Sequence, residues 1–278
     1  MILARVLRRM ARAWRGGEPP AEWEYLPEGW RIRDPRVKGW NVDSIVETQR
    51  AKWPEVLRLT RGTGPLPMHL WAADLSKPIV PTTAVSMAYG YVLARAARQK
   101  DRISLLDWGG GTGHYKLISE ALLPQVAIEY HCKDVPLLAK AGRELQPSGT
   151  FYDGDDECFA RDYDLVLANG SLEYLEDWKS VAGRLAAVSR RYLYVGRLPI
   201  VHHGASFTAI QRPSRHGYVT EYVSWVLNRQ EFLSHAEGLG MTLIREILVG
   251  EGPVIRGAPE QCQFVSFLFA PAGSPDAR

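Results

Sequence analysis

The stretch Leu105-Leu106-Asp107-Trp108-Gly109-Gly110-Gly111-Thr112-Gly113-His114-Tyr115 constrains this chain more than any other. It reads as the end of a buried strand, an acid, a glycine-rich turn and the opening of a helix. Ile103 to Leu106 is a short apolar run of the kind a strand covered on both faces requires. Gly109, Gly111 and Gly113 free the backbone to take positive φ and leave no Cβ to hold a ligand away. Strand, turn and helix in that order place a nucleoside pocket at the C-terminal edge of a parallel sheet. A glycine-rich turn alone is a weak signal, so the surrounding chain must supply the context.

That context alternates. Asp43 or Ser44 can cap a helix running to about Leu59, and Thr82 or Thr83 starts another through Lys100 whose apolar stripe includes Val85, Tyr89, Val92 and Ala96. After the turn come a helix over Tyr115–Leu122, a strand over Gln125–Cys132, a helix over Val135–Leu145 and a short strand over Thr150–Tyr152. A strand over Tyr163–Ala168, a helix over Leu175–Ser189 and a strand over Tyr192–Val195 follow. The last elements are a helix over Asn228–Leu239 and strands over Met241–Val249 and Cys262–Phe269. Gly250, Gly252, Pro253, Gly257 and Pro259 leave no room for a helix between these two strands, so they must pair as neighbours. The expectation is an α/β fold with seven strands, mostly parallel with the last antiparallel, and helices on both faces. Residues 1–80 form an N-terminal extension, 81–272 the main domain and 273–278 a flexible tail.

Ligands in such sheets meet the strand ends. Asp134 follows the second strand, 21 positions past Gly113, close to the ~20 expected for an acid that grips ribose hydroxyls. Glu129 competes but alternates with Val126, Ile128, Tyr130 and Cys132 and falls mid-strand. After the third strand, Asp155 is the carboxylate assigned to an adenine amino group, although the acidic run around it also suits a solvated turn. Asn169 and Ser171 follow the fourth strand and either line a reaction centre or cap the next helix. After the fifth strand comes a long irregular stretch with Arg197, His202, His203 and His216, which together with Tyr174 is expected to cover a second substrate.

These motifs resemble those of Rossmann-like S-adenosylmethionine (SAM) methyltransferases, and in particular a family of poorly characterised bacterial ones often found beside surface-polysaccharide genes. The matching residues are Asp107 through Gly113, Val135-Pro136 with Ala141-Gly142-Arg143-Glu144-Leu145, Tyr163 through Leu167 with Gly170-Ser171-Leu172 and Tyr174-Leu175, Arg197-Leu198-Pro199, Gln211, and Trp225 with Glu231-Phe232. The resemblance implies SAM as cofactor, held by Asp107, Gly109, Gly110, Gly111 and Gly113 at its methionine end. Asp107 would take the ammonium, and free N–H groups of the helix N-terminus the carboxylate. The resemblance supplies no substrate; the expected reaction is methyl transfer to a saccharide or other small polar metabolite bound by Tyr174, Arg197 and His216. Were the acceptor a hydroxyl, His202 or His203 would serve as base. A dinucleotide turn fits less well, because His114 stands where its third glycine belongs. A nicotinamide-dependent oxidoreductase and a non-catalytic binding subunit are the alternatives.

A net charge of +3 gives no case for nucleic acid as partner. Three scattered cysteines suit a reducing cytoplasm and hold no zinc-ligand spacing. No apolar run approaches the ~20 residues that span a bilayer. Residues 1–15 interleave apolar residues with five arginines at helical spacing, which suits either docking on an anionic membrane surface or packing on the domain or another subunit.

Overall fold

The computed structural model describes residues 20–70, 72, 74–77 and 79–277; the amphipathic segment expected over residues 1–15 lies outside them. The glycine turn leaves strand β2 (Arg102–Trp108), with Ile103, Leu105 and Leu106 wholly buried as a two-sided strand requires. Successive side chains point to opposite faces. Ile103 and Leu105 pack under helices α2 (Val80–Ala96) and α3 (His114–Leu122), while Leu106 packs under α6 (Trp178–Ala187) and α7 (Arg229–Gly238). The same alternation divides Leu165 and Leu167 from Val166 and Ala168 in β5 (Tyr163–Asn169), which runs parallel beside β2.

On the other side of β2 lie β3 (Ala127–Lys133) and β4 (Thr150–Tyr152), both parallel to it. Helix α4 (Pro136–Leu145) connects them, and the single turn α5 (Asp155–Cys158) follows β4. Beyond β5 come β6 (Ser189–Val201), then β10 (Gln263–Pro271) antiparallel to it, then β9 (Met241–Glu251) antiparallel to β10. The expected pairing of the last two strands is therefore present.

The expected count of seven strands needs correction, because the sheet has ten. The additional strands are β1 (Trp23–Tyr25), β7 (Phe207–Gln211) and β8 (Tyr222–Asn228), in the order β1-β7-β8-β6. They exist because β6 runs well past Val195. Its pairing with β5 ends at Gly196, and its pairing with β8 begins at Ile200. Pro199 falls in the gap between them, where its missing N–H interrupts no ladder on that side. The stretch expected to be irregular after Arg197 is thus largely the end of β6 and the antiparallel pair β7–β8.

Two further boundaries differ. Helix α1 (Asp43–Arg61) and α2 begin after Val42 and Ile79 with no side-chain cap, so Asp43, Ser44, Thr82 and Thr83 lie within the helices. Within the segment expected as the tail, Asp276 accepts from Arg191 at 2.7 Å and from the Tyr192 hydroxyl at 3.0 Å.

Candidate active site

The chain leaves β2 towards β3 on one side, and leaves the adjacent β5 towards β6 on the other. A crevice opens where the two connections diverge, at the C-terminal ends of β2 and β5. The glycine turn forms one wall. Gly109 has φ of 75°, and a Cβ there would lie 2.3 Å from the Cβ of Ser171 on the opposite wall. Ser171 closes the contact by donating its hydroxyl to the Trp108 carbonyl at 3.0 Å.

Asp107 is buried beneath the turn and accepts from the Tyr130 hydroxyl at 2.5 Å. Burial pushes its pKa up to about 7, against the pull of the Tyr130 bond and with a further push from Asp134. Asp134, at the end of β3, accepts from the Gly111 N–H at 2.6 Å and the Val135 N–H at 2.7 Å. Burial raises its pKa as well, opposed by those two backbone bonds.

Three of the turn's amides already have acceptors. Gly111 N–H is held by Asp134, Thr112 N–H by the Gln49 carbonyl oxygen at 3.2 Å, and Gly113 N–H by the Gly110 carbonyl at 3.0 Å. Acceptors are plentiful instead. Asn169 at the end of β5 donates its amide to the Tyr115 hydroxyl at 2.7 Å, while its carbonyl oxygen is buried with no partner among the described residues.

A cavity of about 320 Å³ fills the crevice, lined by Asp107, Trp108, Gly109, Gly110, Gly111, Asp134, Val135, Leu138, Asn169, Ser171 and Leu175, among others. A second cavity of about 440 Å³ adjoins it, lined by Glu22, Glu173, Gln211, Arg215, His216, Tyr222 and Phe264, among others. Trp40, Gly170, Tyr174, Arg197 and Tyr218 border both. The structure therefore brings most of the expected residues together. Tyr174, Arg197 and His216 share the second cavity.

Four expected residues lie elsewhere. Gly113 stands behind the turn with φ of 82°, where a Cβ would meet Gln146 and Phe151 at 2.8 Å. Asp155 is engaged outside the cavity lining, paired with Lys133 at 2.9 Å and accepting from the Trp108 indole at 3.3 Å. His202 and His203 are exposed on the turn that follows β6, because that long strand carries them past the crevice. Their N–H groups bind the Glu260 carboxylate at 2.9 and 3.1 Å. His202→Ala and His203→Ala are accordingly expected to leave ligand affinity and turnover within about twofold of the parent, as surface substitutions do. Isothermal titration and steady-state rates check this, and a tenfold loss of turnover would return the base to this pair.

The crevice also contains residues that sequence reasoning missed. Helix α1 contributes Gln49, whose side chain accepts from both the N–H and the hydroxyl of Thr112. The signal was present: Ile45, Gln49, Trp53 and Val56 form one buried stripe, and a glutamine on such a stripe needs a partner. Trp40, Met68, His69 and Leu70 also enter from the N-terminal extension. Burial lowers the pKa of His114 to about 4 and that of His69 well below the usual range, so both imidazoles are neutral at pH 7.

No protein-family model and no curated protein sequence matches the chain. Among solved structures, the chain is similar to magnesium protoporphyrin IX methyltransferase from Synechocystis PCC 6803 with bound SAM, at 13% identity and a TM-score of 0.46 over 84% of this chain and 100% of that one. It is similar to 1,6-didemethyltoxoflavin-N1-methyltransferase from Burkholderia thailandensis at 12% identity and 0.49, over 92% and 98%. A third is an O-methyltransferase family protein from Burkholderia thailandensis at 16% identity and 0.45, over 86% and 76%. Likenesses of this size carry neither a substrate nor a reaction over to this chain.

Proposed function

We propose that this chain is a SAM-dependent methyltransferase that binds the cofactor in the first cavity and a small polar acceptor in the second. The observation that carries this is the charge preference of the glycine turn. Three of its amides are spent on Asp134, Gln49 and Gly110, while Asp107, Asp134 and Asn169 line the same space. A dinucleotide would bring a pyrophosphate to a turn with few donors to offer it. A cofactor bearing an ammonium and a sulfonium meets acceptors instead.

The residues fit that group. Asp107 would hold the ammonium, and Asp134 keeps lone pairs for ribose hydroxyls. Val135, Leu138 and Leu175 offer an apolar seat for the base. When bound, SAM supplies an activated methyl group for in-line displacement. The chain's own part is to hold acceptor and donor in line and to exclude water. Trp40, Gly170, Tyr174, Arg197 and Tyr218, which border both cavities, stand where that alignment is set. If the acceptor is a hydroxyl, the imidazoles facing the crevice are His69 and His114, and no lining group singles out a saccharide.

Isothermal titration of the purified protein with S-adenosylhomocysteine and, separately, with NADH tests the proposal. S-adenosylhomocysteine is expected to bind with a dissociation constant on the order of micromolar, and NADH to give no binding heat. NADH binding without S-adenosylhomocysteine binding would overturn it.

A further inference from the structure

We infer that the second cavity is built for a planar aromatic acid, whose carboxylate pairs with the Arg197 guanidinium and whose ring lies against Trp40, Tyr174 and Phe264. This rests on the first cavity being the SAM site. Arg197 is held in an unusual way. Its φ of 57° is in the left-handed region, which only one other non-glycine residue, Gln99, adopts among the described residues. Such a conformation in a residue that lines a cavity persists where the surroundings over-determine it, and functional sites are where it gathers.

The guanidinium has no ion pair among the described residues, and its contact is the face of Phe264 at 5.2 Å from the ring centre. Its acidic neighbours do not neutralise it. Glu173 is buried, one of its carboxylate oxygens has no partner, and burial lifts its pKa to about 8 despite the nearby Arg197 charge. Its carboxyl is therefore mostly protonated at pH 7. Glu22 is already committed to Arg215 and to His216, the latter at 3.3 Å. The cavity thus keeps one uncompensated positive charge, which suits a monoanion rather than a phosphate dianion. A planar guanidinium fork matches a carboxylate with two parallel hydrogen bonds.

The walls supply the rest. Trp40 stacks on Tyr222 at 4.5 Å and 9°, and meets Tyr174 edge-on at 5.1 Å. The Tyr174 hydroxyl is occupied by Gln211 at 2.9 Å, so the residue offers a ring rather than a donor. A volume of about 440 Å³ suits a small aromatic metabolite.

The test uses the full chain saturated with S-adenosylhomocysteine and two probes of one shape, 4-hydroxybenzoate and 4-hydroxybenzamide, followed by quenching of tryptophan fluorescence. The acid is expected to bind at least about tenfold tighter than the amide. In Arg197→Gln the two should bind equally, and Arg197→Lys should keep part of the preference. Equal binding of acid and amide to the unaltered protein, or binding of neither, overturns the inference without any variant having to fold. Arg197→Gln weakening S-adenosylhomocysteine instead of the acid also overturns it, by placing Arg197 on the donor's own carboxylate. Failure of the unaltered protein to bind S-adenosylhomocysteine is the separate result that removes the SAM site itself.

Discussion

Gly110→Ala lowers the affinity for S-adenosylhomocysteine by roughly 10- to 100-fold. The added methyl would lie 2.3 Å from Asp107 Oδ2, 2.4 Å from its Cγ and 2.8 Å from Cys132 Sγ. None of these can swing aside cheaply. Asp107 is buried and tied to Tyr130, and Cys132 is wholly buried in β3. The turn must therefore move as backbone. Overpacking of this kind costs about 1–3 kcal/mol. Here it falls on the segment that shapes the cofactor cavity, where the same energy corresponds to that range of affinity. Isothermal titration measures the loss and circular dichroism confirms the fold. Unchanged affinity would mean that the cavity beside the turn is not where the ligand sits.

The second large effect concerns pH. Burial lifts Asp107 to about 7 and Glu173 to about 8, and raises Asp134 too. In each case the folded chain holds its proton more tightly than the unfolded chain does. The stabilising contribution is complete below the unfolded values near 4 and is lost as pH rises through the folded ones. For Asp107 the rise from 3.8 to about 7 corresponds to about 4 kcal/mol. Tyr130 and Cys132, which touch the carboxylate's surroundings, are pushed up by burial and stay neutral throughout this window. Below about pH 6.5 the lowered pKa values of the buried His69 and His114 work in the opposite direction, so the ligand-free protein should give up stability chiefly between about pH 6.5 and 8. Asp107→Asn keeps an acceptor for Tyr130 but has no charge to bury, so it should flatten that slope and melt higher than the parent at pH 8. It should also bind S-adenosylhomocysteine more weakly. Melting temperature against pH, for both proteins, checks the pair of effects. Parallel curves would show that the Asp107 charge is not what the fold resists.

That trade between stability and function explains why the turn was the legible part of this chain. A buried acid at a strand end followed by spaced glycines has little purpose except to receive a ligand, and Asp107, Gly109, Gly110 and Gly111 indeed face one cavity. The alternation of strands and helices from Ile103 to Phe269 was readable for a similar reason, since two-sided burial writes continuous apolar runs. The count of strands was not readable. Arg197-Leu198-Pro199 looked like the start of a loop, and only the exchange of neighbours from β5 to β8 makes Pro199 compatible with a long β6. Trp23–Tyr25, in the N-terminal extension, was likewise not readable as a strand, because its partner Ala209–Gln211 lies far along the chain.

The site was legible where it is local and illegible where it is tertiary. Asp134 follows from spacing to the turn. Trp40, Gln49 and His69 arrive from the extension, and spacing to the turn carries no trace of that approach. The histidines show the difference most clearly. His202 and His203 were attractive for lying just past a strand end, but that strand continues beyond the crevice. His69 and His114 occupy the crevice instead.

The most direct test of the SAM site is a crystal structure of the protein with S-adenosylhomocysteine. The ligand should lie between the Gly109–Gly111 turn and the Asn169–Ser171 loop, with its ribose hydroxyls on Asp134 and its amino group beside Asp107. Density for the ligand in any other cavity, or a ribose out of reach of Asp134, would contradict the assignment of this crevice as the methyl-donor site.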